Sequence, residues 1–204
     1  LNGVTIYMEG GGKGPDTRGA LRRGMDAFLS ELKDAARAKS WCWKLVCFGS
    51  REEAFRAFSN ARENDSNTMI VLLVDAEGPV SGSPGEYLKR RDGWSFDKAD
   101  KDIVHLMAQV METWIVAYPE ALSRHYGSRF KETALPRAPD LETVHKADID
   151  RALEKATRET QKGHYHKIRH TSDLLARIDP ELTRQRCSYC KRLFAMIGGA
   201  IAVG

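Results

Sequence analysis

The sequence predicts an α/β fold, a mainly parallel sheet flanked by helices, from three features. Short β-rich runs recur, amphipathic helical stripes separate them, and the third run is apolar throughout. Val4 to Met8 is rich in β-formers and runs into Glu9, Gly10, Gly11 and Gly12. It reads as a buried strand stopped by glycines. Leu21, Met25, Phe28, Leu29, Leu32, Ala35 and Ala36 then recur in steps of three and four. That spacing is one face of a helix over about 18–38. Trp43 to Phe48 is a second strand closed by Gly49 and Ser50, and Ala54, Phe55, Phe58 and Ala61 mark a second helix. Met69 to Val74 is the third strand, apolar as a strand covered on both faces must be. The order strand, helix, strand, helix, strand implies parallel pairing with helices packed on the sheet.

From Gly78 to Lys101 the pattern dissolves into glycine, proline and charge, which predicts a long functional or disordered loop. Beyond it the chain reads as all helix. Lys101 to Tyr118 is apolar nearly all round, as in a buried helix. Pro119 opens a shorter helix ending near Gly127, Asp148 caps one running to about Gln161, and further helices lie near 172–178 and 181–197. The expected organisation is an α/β core with an active-site loop over 1–100 and a helical extension packed on it over 101–204.

The chain has 204 residues, 42% of them hydrophobic and 29% charged, a globular rather than a disordered composition. A net charge of +4 permits a phosphate-bearing partner without demanding one. A membrane span needs about 20 apolar residues, and the apolar stretch Ala195 to Gly204 is too short and too rich in glycine. Arg22 and Arg23 precede an amphipathic pattern rather than an apolar leader, so a cytoplasmic protein is expected. Four cysteines do not make a disulfide framework at this length. Cys187-x-x-Cys190 lacks two further zinc ligands nearby, since Cys42 and Cys47 lie beside a distant strand. Buried small hydrophobes are the expected role.

The chemistry-bearing residues follow the strands. In an open parallel sheet, ligands bind beyond the carboxyl ends. Glu9 ends the first strand and Asp75 the third; with period-two alternation, Asp75 and Glu77 share a side while Ala76 points away. Converging carboxylates repel one another and raise one another's pKa unless a cation sits among them. Mg²⁺, or Mn²⁺ in its place, suits such a site, keeping most of its waters and taking one or two carboxylates plus phosphate oxygens.

Met8-Glu9-Gly10 at a first strand end and Asp75-Ala76-Glu77 at the third resemble the Toprim domain of topoisomerases, primases and overcoming-lysogenization-defect nucleases. The likeness covers residues 4 to about 80; the second acid of the Asp-x-Asp motif is a glutamate here. The remainder, including His105-x-x-x-Gln109-x-x-Glu112-x-Trp114 and Lys162-Gly163-x-Tyr165-x-Lys167, looks like a bacterial Toprim-like family encoded beside an ATPase of the ABC/SMC type. The resemblance implies that Asp75 and Glu77 hold Mg²⁺, with Glu9 as general acid/base or second-metal ligand. It further implies an endonuclease or nickase that acts as effector of an anti-phage defence complex. The alternative is a non-catalytic module that binds and regulates the partner ATPase.

Other segments carry two readings each. His105, Gln109 and Glu112 share a face if their segment is helical. They then form either a satisfied internal network or, through Glu112, a fourth catalytic carboxylate with His105 beside it. Lys162, His166 and Lys167, with Tyr165, would grip phosphates and stack a base, or form a solvated loop. Lys89, Arg90 and Arg91, with Trp94, would form a basic rim for DNA, RNA not being excluded, or a disordered loop. The glycines at 10, 11, 12 and 14 lack the phosphate-loop pattern and are expected to turn the chain sharply near Glu9.

Overall fold

The computed structural model describes residues 1–12 and 14–204, with the side chains of Lys98 and Ala99 left aside. Four strands, β1 (Gly3–Glu9), β2 (Cys42–Phe48), β3 (Thr68–Asp75) and β4 (Val104–Met107), form one all-parallel sheet in the order β2-β1-β3-β4. Between β1 and β2 the expected long helix is two, α1 (Pro15–Phe28) and α2 (Ser30–Ala38). Helix α3 (Arg51–Asn64) follows β2 and is capped by the Ser50 side chain, which accepts from the Glu53 N–H.

Both faces of the sheet are covered, for the reason the third strand suggested. Met69, Val71 and Leu73 point into one core with Val4, Ile6, Met8 and the helices α1 and α2. Ile70, Leu72 and Val74 point into the other, with Ala54 and Phe58 of α3. The α/β expectation holds.

Three expectations fail. The segment 78–101 contains a helix, α4 (Pro84–Asp92), fixed by a capping box in which Ser83 and Glu86 satisfy each other's backbone donors, and stopped by Gly93 in the left-handed region. Trp94 is buried and stacks on Phe55 with ring centroids 4.1 Å apart, so it is a core residue rather than part of an exposed basic rim. Lys101 to Tyr118 is not one helix: β4 occupies its first part and a short helix α5 (Glu112–Val116) its end. A run apolar on all sides suits a central strand as well as a buried helix, and here pairing with β3 decides it. The sheet therefore continues past residue 100, and the helical part begins only after Met107.

That part comprises α5, α6 (Pro119–Tyr126), α7 (Lys146–Thr157), α8 (Lys167–Leu175), α9 (Pro180–Arg186) and α10 (Ser188–Val203). Lys167 is the first residue of a helix, not part of a loop. Helix α8 lies against α1, where Gly24 leaves room for the Ser172 backbone. Cys187 and Cys190 are buried in the main core, as small hydrophobes. No helix among the described residues is long and apolar enough to cross a membrane.

Candidate active site

The chain leaves β1 toward β2 on one side and reaches β4 through β3 on the other, so the strand order reverses between β1 and β3. Such a reversal opens a crevice at the carboxyl ends of the two strands. Glu9 closes β1 and Asp75 closes β3, with Met8 in register with Leu73. Both line a cavity of about 380 Å³ together with Glu77. Glycines 10, 11 and 12 form another wall; all three have positive φ, and a Cβ on Gly11 would stand 2.7 Å from the Arg18 Cα. Only glycine lets the chain turn here this close to α1.

Asp75 is buried. Its Oδ1 accepts from the Met111 N–H at 2.9 Å, and its Oδ2 faces the Lys167 ammonium at 3.6 Å. Burial pushes its carboxyl well above the usual range, and Lys167 opposes that while Glu112, Glu9 and Glu77 add to it. Glu112 is 2% exposed; its Oε2 lies 3.2 Å from Lys167 Nζ and its Oε1 accepts from the Tyr165 hydroxyl at 3.0 Å. Lys167 thus bridges Asp75 and Glu112, which brings the fourth carboxylate to the other three. Burial would lower the Lys167 pKa, but the two acids outweigh it and hold the ammonium well above the ordinary lysine range.

Glu77 sits just past β3 with φ 64°, a left-handed conformation uncommon outside glycine. Its N–H donates to the Gln109 carbonyl at 2.7 Å, and its carboxylate pairs with Lys146. Burial alone would raise its pKa; Lys146 brings it below the usual value. Glu9 is raised by burial, against the pull of the Arg51 guanidinium. Its Oε2 is buried and has no hydrogen-bond partner.

These donors suit a hard divalent cation: they are carboxylate oxygens from separate segments, and one of them is orphaned. Yet among the described residues no three His, Cys, Asp or Glu side chains are gathered as a ready-made metal site. Geometry gives the reason. Lys146 holds Glu77, and Lys167 stands between Asp75 and Glu112.

The remaining expected residues divide. His105 belongs to β4 rather than to a helical stripe; it contacts the Asp102 carbonyl and Arg192, each at 3.0 Å, and burial with Arg192 pushes its pKa down to about 3. It is a neutral structural group with no contact to the acids. Gln109 is structural as well, its Oε1 accepting from the Lys146 N–H at 3.2 Å. Tyr165 is half-buried; its N–H donates to Thr157, and its hydroxyl donates to Glu112 and meets Thr171. Arg90 binds the Ser81 carbonyl, and Arg91 pairs with Asp92 at 2.6 Å. Lys89, Lys162 and His166 are exposed, and His166 lines the cavity.

Sequence reasoning missed Arg51 and Lys146. Arg51 had a signal, since it follows the Gly49-Ser50 stop at the end of β2 and so falls on the same sheet edge. Lys146, 69 residues from its partner Glu77, had none.

A family model described as a domain of unknown function, DUF4276, matches residues 8–197. No curated protein and no solved structure matches the chain.

Proposed function

The chain belongs to the DUF4276 family, and from the geometry of its site we propose that it is a divalent-metal-dependent phosphodiesterase that cuts nucleic acid at the β1/β3 crevice. One observation carries the reading. Four carboxylates, Glu9, Asp75, Glu77 and Glu112, arrive from two strand ends, the turn just past β3 and a short helix at the mouth of a parallel sheet, with Lys146 and Lys167 among them. Burying so many acids together is costly, and folds keep such clusters where the charge is used.

Asp75 and Glu77 would hold Mg²⁺ or Mn²⁺, with the orphaned Glu9 oxygen as further ligand or as acceptor of a water proton. A divalent cation there offsets the charge of a phosphodiester oxygen and eases ionisation of a nearby water. The glycine wall lets a sugar-phosphate strand approach the acids without meeting a side chain. This agrees with the resemblance to Toprim nucleases. A partner ATPase of the ABC/SMC type, a role in phage defence and a cytoplasmic location belong to the same proposal.

A second reading, a non-catalytic module that regulates such an ATPase, is favoured by Lys146 and Lys167, which already neutralise three of the four acids. Incubating the purified chain, alone and with the co-encoded partner, with plasmid and with single-stranded oligonucleotides in Mg²⁺ or Mn²⁺ separates the two. Cleavage that disappears with chelator and in Asp75→Asn supports the enzyme. Binding to the ATPase with no cleavage under any of these conditions supports the module.

A further inference from the structure

Lys167 faces two ways. On one side its ammonium lies 3.6 Å from Asp75 Oδ2 and 3.2 Å from Glu112 Oε2, and it lines the β1/β3 cavity. On the other it lines a second cavity of about 560 Å³, whose wall includes Asp150 and Glu154 of α7. The side chain is half exposed although its two partners are buried. It sits at the first position of α8, four residues after the turn at Gly163.

Leaving a buried, ionised carboxylate without a positive neighbour is costly. A lysine provides a compact charge on a flexible stem, which makes it a replaceable counter-ion. We propose that Lys167 is an exchangeable resident cation: it occupies the place between Asp75 and Glu112 until a divalent cation enters, and its ammonium then moves to the second cavity beside Asp150 and Glu154. This rests on the metal reading above. It explains why the acids are gathered and yet form no ready-made metal site. In the second cavity two carboxylates receive the charge, so the exchange leaves no ammonium unpaired.

Two measurements on the full chain test the exchange. The first is Mn²⁺ affinity by calorimetry for the wild type and Lys167→Met, with circular dichroism to check the fold. Removing the resident competitor should tighten Mn²⁺ at least about tenfold. The second is acetylation of wild-type lysines by an N-hydroxysuccinimide ester, read by mass spectrometry with and without Mn²⁺. Asp75 and Glu112 are buried, whereas Asp150 and Glu154 are exposed and would leave the ammonium open to solvent, so Lys167 should become several-fold more reactive when Mn²⁺ is added, while Lys162 stays constant. That second readout needs no variant and responds to the position of the side chain, not only to the field around it. If Mn²⁺ binds the wild type but Lys167 reactivity is unchanged, or the methionine variant binds no tighter, the exchange is overturned and the metal site stands. If neither protein binds Mn²⁺, the metal reading itself fails and the exchange falls with it.

Discussion

Arg51 at the start of α3 donates through Nη1 to the carbonyl of Asp75, 3.1 Å away, tying the helix that follows β2 to the last residue of β3. Its Nη2 pairs with Asp92 at 2.8 Å, its guanidinium lies 5.3 Å from the centre of the Trp94 ring, and its charge opposes the upward push of burial on Glu9. Hydrogen bonds to charged groups contribute about 1.5–3 kcal/mol each when partly buried. Arg51→Met should therefore lower the free energy of unfolding by about that amount. Arg51→Lys should recover only part, because an ammonium cannot span the carbonyl and the carboxylate as a planar fork does. Urea unfolding of the three proteins measures it; a methionine variant as stable as the wild type would show the bridge to be idle.

Asp75→Asn keeps an amide oxygen for the Met111 N–H while removing the charge. The fold should survive, and metal affinity should fall by at least about tenfold, the lower end of what even supporting residues cost. Glu77→Gln, at a more exposed position, should behave alike with a smaller change in melting temperature. Calorimetric titration with Mn²⁺ beside a thermal melt reads both quantities. Unaltered metal affinity in both variants would remove Asp75 and Glu77 from the site.

Gly24 lies inside α1, where alanine is ordinarily the better helix former by about 1 kcal/mol. A Cβ there would overlap the Ser172 backbone of α8, with the Ser172 Cα 2.8 Å away. Gly24→Ala should thus destabilise by about 1–3 kcal/mol, the usual cost of overpacking and opposite in sign to helix propensity. Since α8 carries Lys167, the variant should also bind Mn²⁺ differently from the wild type. A melting temperature at or above the wild-type value would mean that the two helices separate without penalty.

Glu142, in the turn Leu141–Thr143, is buried. Its Oε1 accepts from the Trp114 ring N–H at 3.1 Å, and its Oε2 accepts from the Tyr189 N–H and meets the Ser188 hydroxyl. Burial pushes its pKa up to about 7, against the pull of those donors. A carboxyl raised on folding binds its proton more tightly in the folded state. Its stabilising contribution is then full below the ordinary value of 4.5 and is lost as pH climbs through about 7. Melts at pH 5 and pH 8 should show Glu142→Gln gaining on the wild type as pH rises. A gap between the two proteins that is the same at both pH values would mean that Glu142 does not titrate in this window.

Of the six basic positions expected to meet a nucleic acid, Arg90, Arg91 and Lys167 are already engaged within the chain. With only Lys89, Lys162 and His166 of these six outward and free of those pairings, the isolated chain should bind single strands weakly. The logarithmic salt slope should be shallow, about −2 for three neutralised phosphates. Fluorescence anisotropy between low and physiological salt checks this, and adding the ATPase should restore binding if the partner supplies the grip. Tight binding by the chain alone at physiological salt would contradict it.

How much of this was legible depends on the range over which each feature is decided. The first three strands, and the acids that end two of them, are local: an apolar run, a stop and a charged residue already say where a parallel sheet will present its ligands. Helix α4 was legible too, since Ser83 to Glu86 has the spacing of a capping box, but the glycines and charges around it hid the signal. The fourth strand was not. Val104 to Met107 is apolar on every side, and periodicity cannot tell such a strand from a buried helix until a partner strand takes up its hydrogen bonds.

The sequence by itself determined the first three strands, the helices between them and the placing of Glu9, Asp75 and Glu77 at strand ends. Only the tertiary structure decided which cations those acids would meet. Lys146 reaches Glu77 across 69 residues and Lys167 reaches Glu112 across 55. Strand formation follows from side-chain pattern over a handful of residues. The pairing of a buried charge depends on which distant helix packs over it, and no local pattern encodes that.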